Sequence, residues 1–238
     1  MSEKIPFKDF TLTPKSNTII CNIATADHYK DLRDIMEPTV IYYGNLHQID
    51  TLLLTERLVP ERPAAWDRIV LLYNLLRFYE IVIWLDADTV IVDPRIDIRC
   101  ELDSCFPVQM VTHYSRVPIF PNTGVLVAKR DHQTEEFLEA VWNQTDRINH
   151  QWWEQQAVLD LLGFVNNYHS IFAYNGPTKY SSMIGLLDIK WNSRPTDQEI
   201  AESPVIMHYC GMHPFDKRLE EMKKGYKAFL QRIGEISS

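Results

Sequence analysis

The chain has 238 residues, 45% of them hydrophobic, 24% charged and 11% aromatic, enough apolar material for a sizeable core and too much for a disordered chain. Twenty-four basic residues against 32 acidic ones leave a formal charge of −8, which argues against broad binding to nucleic acid or to an anionic membrane. A small basic pocket for a phosphate remains open.

In chain order, residues 1–18 are polar and carry two prolines, and they read as a loose lead-in. Asn17 to Ala24 (NTIICNIA) is a continuous apolar run of strand length, suited to a strand covered on both faces. His28 to Met36 is helix-like and Pro38 stops it. Thr39 to Tyr43 (TVIYY) reads as a second buried strand, ended by Gly44. This β-α-β order predicts an α/β sheet whose functional edge lies at the carboxyl ends of its strands. Ala64 to Tyr79 is a helix with Ile69, Leu72, Leu76 and Tyr79 on one face. Glu80 to Leu85 is the third buried strand. Met110–His113 and Val125–Val127 are short strands, and Thr134–Trp142 and Trp153–Leu162 are helices. Residues 166–198 are mostly loop and short strand, and Val205–Tyr209 is a last strand. In the tail, Leu219, Met222, Tyr226, Phe229 and Ile233 share one helical face, the pattern of a surface helix covering the core, with peripheral membrane contact as the alternative.

No repeat and no long linker divides the chain. Four cysteines, at positions 21, 100, 105 and 210, form no CxxC pair and read as reduced thiols. The opening residues lack the apolar stretch of a signal peptide. The most apolar window, Ile69–Leu85, is interrupted by Asn74, Arg77 and Glu80, unlike a spanning helix of about 20 apolar residues. The expectation is a cytoplasmic protein without a transmembrane segment.

The third strand runs directly into Asp86-Ala87-Asp88. Side chains alternate along an extended segment, so both carboxylates leave the sheet on one side. Two carboxylates aimed together repel unless a cation lies between them, and hard oxygen ligands suit Mg²⁺ or Mn²⁺, ions that commonly bridge to phosphate oxygens. Taken alone, such a pair also fits an ordinary solvated turn. His208, at the end of the last strand and 120 positions beyond Asp88, offers a neutral imidazole that could complete a metal site.

Five stretches taken together resemble the GT-A-fold glycosyltransferases, most of all the retaining glycogenin and galactinol-synthase type. They are Ala24-Thr25-Ala26-Asp27-His28-Tyr29, Leu85-Asp86-Ala87-Asp88, Phe120-Pro121-Asn122-Thr123-Gly124-Val125, Trp153-Glu154-Gln155, and His208-Tyr209-Cys210-Gly211-Met212-His213-Pro214-Phe215. The resemblance covers roughly residues 19–217 and is carried by the set, no one motif sufficing. It implies a Rossmann-like single domain, 19–238, after a lead-in of 1–18: a nucleotide-binding half (19–90), an acceptor- and metal-completing half (91–217) and a C-terminal amphipathic helix (218–238). The central sheet is then mainly parallel and flanked by helices, with the DxD motif at the end of a central strand.

The same resemblance implies site roles. Thr25 and Tyr29 would contact the uridine base. Asp86, Asp88 and His208 would hold Mn²⁺ or Mg²⁺, with Asp86 also able to bond the ribose. Asn122 and Gly124 would lie beside the donor sugar. Glu154 and Gln155 would stand near the reacting carbon, stabilising an oxocarbenium-like centre or shuttling a proton. Gly211 would let backbone approach the diphosphate. Arg68 is the best local match for a basic residue in the helix before the DxD strand, at an unusual offset. The chain departs from the family pattern at two positions: His213 replaces a lysine before the proline, with Lys217 as a possible substitute, and Glu154 replaces an aspartate. The implied reaction is metal-dependent transfer of a sugar from a nucleotide diphosphate, a UDP-sugar first and a GDP-sugar second, to a glycan, glycoprotein or lipid-linked acceptor, with retention. Two other readings stay open: a haloacid dehalogenase-like phosphatase with Asp86 as nucleophile, and a nucleotide-sugar- or carbohydrate-binding protein without turnover. Trp142, Trp152, Trp153 and Trp191 could stack on sugar faces in a transferase or in a binding protein, but such tryptophans are more often core, and Trp142 is placed there.

Overall fold

A strand buried on both faces needs apolar side chains at consecutive positions, and Thr18–Ile23 (TIICNI) supplies them as β1. The computed structural model describes residues 3–25, 27–113, 118–167 and 171–236. After β1 the chain enters α1, Asp27–His47, which continues through Pro38. The strand expected over Thr39–Tyr43 is therefore helix. Leu32, Ile35, Met36, Val40 and Tyr43 are all buried, at the three- and four-residue spacing of one helical face. That buried face outweighs the β preference of the valine, isoleucine and tyrosines. Pro38 lies on the exposed side of the helix, where losing one backbone hydrogen bond is least costly. The second strand is β2, Asp50–Leu54, parallel to β1. The chain turns tightly to reach it, and a Cβ on Gly44 would come within 2.7 Å of Thr51 and 2.9 Å of the Ile49 carbonyl.

A short 3-10 turn at Ala64–Trp66 leads into α2, Asp67–Leu75, and then come β3 (Ile81–Leu85) and the three-residue β4 (Thr89–Ile91). The second half holds β5 (Val108–His113), β6 (Phe120–Lys129), α3 (His132–Trp142) and α4 (Trp153–Leu161). It continues with β7 (Phe164–Asn167), β8 (Ile171–Tyr174), β9 (Ile184–Leu187), β10 (Ile206–His208) and α5 (Phe215–Ile236). The six-stranded sheet has the order β2-β1-β3-β6-β5-β9. Only β6 opposes the rest, pairing antiparallel with β3 and β5 while β5 and β9 run parallel. This is the mainly parallel sheet that the sequence predicts.

Alternation along β3 sorts its side chains between two cores. Val82 and Trp84 join the cluster built from α2, α3 and α4, whereas Ile83 and Leu85 join the one beneath α1 and α5. α5 is a surface helix laid on the second core: Met222, Gly225 and Phe229 are buried, and Phe229 meets Tyr42 of α1 edge-on with ring centroids 5.4 Å apart. Among the described residues no helix is long and apolar enough to cross a membrane. The lead-in is not loose from residue 3 onward. Ile5 is buried, Asn74 of α2 bonds both the Lys8 N–H and the Pro6 carbonyl, and Glu3 pairs with Arg62 at 2.7 Å.

Candidate functional site

β3 ends at Leu85, and the chain turns before β4 begins at Thr89. The Thr89 N–H and hydroxyl both bond the Asp86 carbonyl, at 3.1 and 2.8 Å, so residues 86–89 form a turn. Asp86 and Asp88 are thus brought together by a turn rather than by strand alternation. A second, two-stranded sheet completes the arrangement: β10 pairs antiparallel with β4, setting His208 opposite Thr89. The 120-residue separation in sequence closes to a cluster in which Asp86, Asp88 and His208 ligand atoms all lie within 4.8 Å of one another. His208 Nε2 is 3.2 Å from Asp88 Oδ1 and 3.6 Å from Asp86 Oδ2.

The imidazole is oriented by a chain of hydrogen bonds that starts from backbone. The Gly124 N–H can only donate, and it donates to Asn122 Oδ1 at 2.9 Å. That oxygen also accepts from Asn192 Nδ2 at 2.9 Å, so Asn192 presents Oδ1 to His208 Nδ1, 2.8 Å away. Nδ1 must then carry a hydrogen, which leaves Nε2 to face the carboxylates. Nε2 is buried without a hydrogen-bond partner. The ring lies directly on the Gly124 backbone, since a Cβ there would sit 2.1 Å from His208 Cε1. Glycine at 124 is therefore required by the imidazole.

The electrostatics favour a cation at this point. Burial opposes charge on both Asp88 and His208. It is outweighed at Asp88 by His208 and Arg218, which hold the carboxyl below its usual range. At His208 the Cys210 thiol and Asp88 outweigh it and hold the imidazole well above its ordinary value. A bound metal replaces such a proton, because a ligating imidazole must be neutral. Two carboxylates and one imidazole nitrogen, with that nitrogen otherwise unpartnered, fit a divalent ion.

Behind the triad stands Arg68 of α2, buried and packed over the Trp84 ring at 4.8 Å. Its guanidinium bonds Asp86 Oδ1, the Thr123 hydroxyl and, at 3.0 Å, the Thr123 carbonyl. It also pairs with Glu154 Oε1 at 2.8 Å. Trp84 Nε1 donates to the same Asp86 oxygen at 2.7 Å, so Oδ1 is committed and Oδ2 is the atom turned to His208. Burial pushes the Glu154 carboxyl up to about 7, against the lowering effect of Arg68 and with some help from Asp86. Its Oε2 has no hydrogen-bond partner. Gln155 Oε1 accepts from Asn122 Nδ2, the Thr123 N–H and the Thr123 hydroxyl at 3.1–3.2 Å, which leaves its amide nitrogen as the group it can offer a ligand. Arg68, Asn122, Gly124, Glu154 and Gln155 thereby form one network with the triad.

The remaining predicted residues divide. Tyr29 is half-buried, and burial together with Asp88 and Asp86 raises its phenol above the ordinary value while Arg218 opposes, so it lies within the field of the triad. Thr25 is half-buried in the segment after β1; Ala26, from the same motif, lies outside the described residues. Gly211 is in the left-handed region (φ 66°) with open space where a Cβ would project. His213 and Lys217 are exposed, and neither is hydrogen-bonded or ion-paired to the triad. From this end of the chain the cation that reaches it is Arg218, whose Nη1 donates to Asp88 Oδ2 at 3.2 Å. Sequence reasoning missed Arg218 and Asn192. An Arg next to Lys217 was visible, but which of the two turns inward depends on the start of α5. Among the tryptophans, Trp142 is core as expected, Trp191 is core as well, and Trp153 is 41% exposed. Trp153 also has φ of 44°, an unusual conformation for a bulky side chain, immediately before Glu154.

No protein-family model matches the sequence, and no curated protein matches it. Solved structures do match in fold. One is a glycosyltransferase involved in glycosylation of the major capsid of PBCV-1: TM-score 0.59 and 19% identity, over 87% of this chain and 98% of that one. A second is the glycosyltransferase GlyE of Streptococcus pneumoniae TIGR4 in its apo form: TM-score 0.56 and 12% identity, over 94% of this chain. A third is the bifunctional glycosyltransferase WbbM: TM-score 0.54 and 11% identity, over 95% of this chain. The chain spans 64% of GlyE and 54% of WbbM. The fold is that of the GT-A glycosyltransferases, and it carries an Asp-Asp-His cluster at the carboxyl end of the central strand β3.

Proposed function

We propose that this protein is a metal-dependent glycosyltransferase that moves a sugar from a nucleoside diphosphate, UDP in the first instance, to an acceptor hydroxyl with retention of configuration. The observation that carries the reading is the Asp86–Asp88–His208 cluster with its imidazole fixed in the ligating orientation. Asp86, Asp88 and His208 would hold Mn²⁺, or Mg²⁺; two carboxylates suit both ions and the imidazole favours the transition metal. When bound, such an ion supplies positive charge against the departing diphosphate.

The chain's own residues divide the remaining work. Arg68 and Trp84 hold Asp86 so that one oxygen is presented and the other is committed. Thr25 and Tyr29 take the base, and the open left-handed turn at Gly211 admits the diphosphate to backbone. Gln155 and Asn122 hold the donor sugar through the amide hydrogens their network leaves available. Glu154 Oε2, buried and unpartnered, is the atom that stabilises the reacting carbon or carries a proton. Trp153, exposed beside Glu154, offers an aromatic face to the acceptor sugar. Retention rests on the resemblance to the glycogenin and galactinol-synthase type. The acceptor is a glycan, free or carried on protein or lipid; a protein-borne glycan agrees with the capsid glycosylation in which the PBCV-1 enzyme takes part. A cytoplasmic location agrees with the four free thiols at Cys21, Cys100, Cys105 and Cys210.

The phosphatase reading needs Asp86 as a free nucleophile and gives His208 no part. Asp86 Oδ1 is instead tied by Arg68 and Trp84, and His208 belongs to the cluster. Nucleotide release from a panel of UDP- and GDP-sugars, with Mn²⁺ and with EDTA, tests the proposal. Release that requires the metal and is lost in Asp88→Ala supports it. Phosphate release from a phosphomonoester without nucleotide specificity would refute it, and tight nucleotide binding with no turnover on any acceptor would leave a binding protein.

A further inference from the structure

Arg218 is the fourth residue of α5, and its side chain is only 12% exposed. It is held from both ends: Nε donates to the Met212 carbonyl at 3.2 Å and Nη1 to Asp88 Oδ2 at 3.2 Å. Asp88 therefore faces His208 Nε2 with one oxygen and is bound by a fixed positive charge at the other. A divalent ion entering the triad must share that carboxylate with the guanidinium, and the two cations repel across a few ångströms in a largely buried setting. A nucleoside diphosphate reverses the balance. Its oxygens accept from the free edge of the guanidinium, the fork that suits phosphate, and its charge compensates both cations at once. His213 and Lys217, the positions at which the sequence pattern places a phosphate-binding cation, are exposed and unattached to the triad.

We propose that Arg218 is a built-in counter-ion that makes binding of the divalent cation and of the nucleoside diphosphate depend on each other. The proposal rests on the reading of the site given above. It places Arg218 as a positioning residue: the side chain suppresses metal binding to the free protein and strengthens binding of metal and nucleotide together. The coupling is reciprocal, as linkage between two ligands requires. It also gives the cell's divalent cations little hold on the site until a donor arrives.

The test is a Mn²⁺ titration of the full chain, followed by electron paramagnetic resonance of the free ion, alone and with saturating UDP. A UDP titration by calorimetry at fixed Mn²⁺ accompanies it. In the wild type, UDP should tighten Mn²⁺ at least about tenfold. Arg218→Gln should bind Mn²⁺ alone about tenfold more tightly, since a like charge is gone, yet bind UDP with Mn²⁺ more weakly, so that the coupling shrinks. Arg218→Lys keeps the charge and should retain most of the suppression while losing part of the UDP affinity. Opposite signs in the two titrations are what a purely structural role cannot produce. Loss of both affinities in Arg218→Gln together with a lowered melting temperature, or no change in either, overturns the proposal and leaves the transferase reading standing. A wild type that binds Mn²⁺ but no nucleotide overturns both.

Discussion

An alanine at position 124 would put its Cβ 2.1 Å from His208 Cε1, 2.6 Å from Nδ1 and 2.8 Å from Asn122 Oδ1. Ordinary contact between carbons begins near 3.5 Å, so the ring must retreat by more than 1 Å. It has little freedom to do so, because β10 holds His208 opposite Thr89 and Asn192 holds Nδ1. Forcing a methyl group into such a place costs about 1–3 kcal/mol, and breaking the bond to Asn192 adds about 1 kcal/mol. For a chain of this size, where 1 kcal/mol moves the midpoint by about 2–4 °C, the combined effect lowers the melting temperature by roughly 4–16 °C. Metal sites tolerate distance errors of only about 0.2 Å, so the displaced imidazole can no longer ligate. Thermal melting with and without Mn²⁺ and UDP together reads both consequences. Gly124→Ala should melt early and gain no stability from the pair. A variant with wild-type melting and wild-type Mn²⁺ affinity would show that Gly124 does not seat the imidazole.

Two further outcomes follow from the network around the triad. Asn192→Leu leaves the His208 Nδ1–H buried and unpaired, which should cost about 1–3 kcal/mol and weaken Mn²⁺ binding about 10- to 100-fold; unchanged Mn²⁺ affinity by titration contradicts the orienting role. Glu154, whose carboxyl rises from 4.5 to about 7 on folding, keeps a proton in the native state that the unfolded chain has already lost. Its contribution to stability should therefore fall as pH rises from about 4.5 to about 7, by about 3 kcal/mol for the whole shift. Denaturant midpoints in EDTA should show that decline in the wild type relative to Glu154→Gln, with Arg68 and Asp86 unchanged in both. Parallel pH profiles for the two proteins would contradict it.

The sheet strands were legible where apolar residues run consecutively. β1 and β3 begin and end within a residue of the predicted limits, as their burial on both faces requires. The segment 39–43 was not, because a short apolar run fits a buried strand and a buried helix equally well. The longer spacing from Leu32 to Tyr43, read across Pro38, carried the helical answer. β2 was missed because Asp50–Leu54 lies at the sheet edge and is only partly buried. The DxD pair and His208 could be chosen because their residue types suit a metal, yet the turn that unites the two carboxylates is invisible in an alternating pattern. Neither Asn192 nor Arg218 shows its role locally. One gains its role from the side-chain chain that begins at the Gly124 N–H, the other from where α5 starts, and both are facts of tertiary packing.

Thermal stability with UDP and GDP, each with Mn²⁺ and with EDTA, in the wild type and in Asp88→Ala, tests the central claim most directly. A ligand at 100 times its dissociation constant stabilises by about 2.7 kcal/mol, a shift of roughly 5–10 °C for a chain of this size. The account predicts such a shift for a nucleoside diphosphate only when Mn²⁺ is present, and none in Asp88→Ala. A nucleotide shift of equal size in EDTA, or one that survives Asp88→Ala, would contradict a metal-bridged diphosphate at the Asp86–Asp88–His208 cluster.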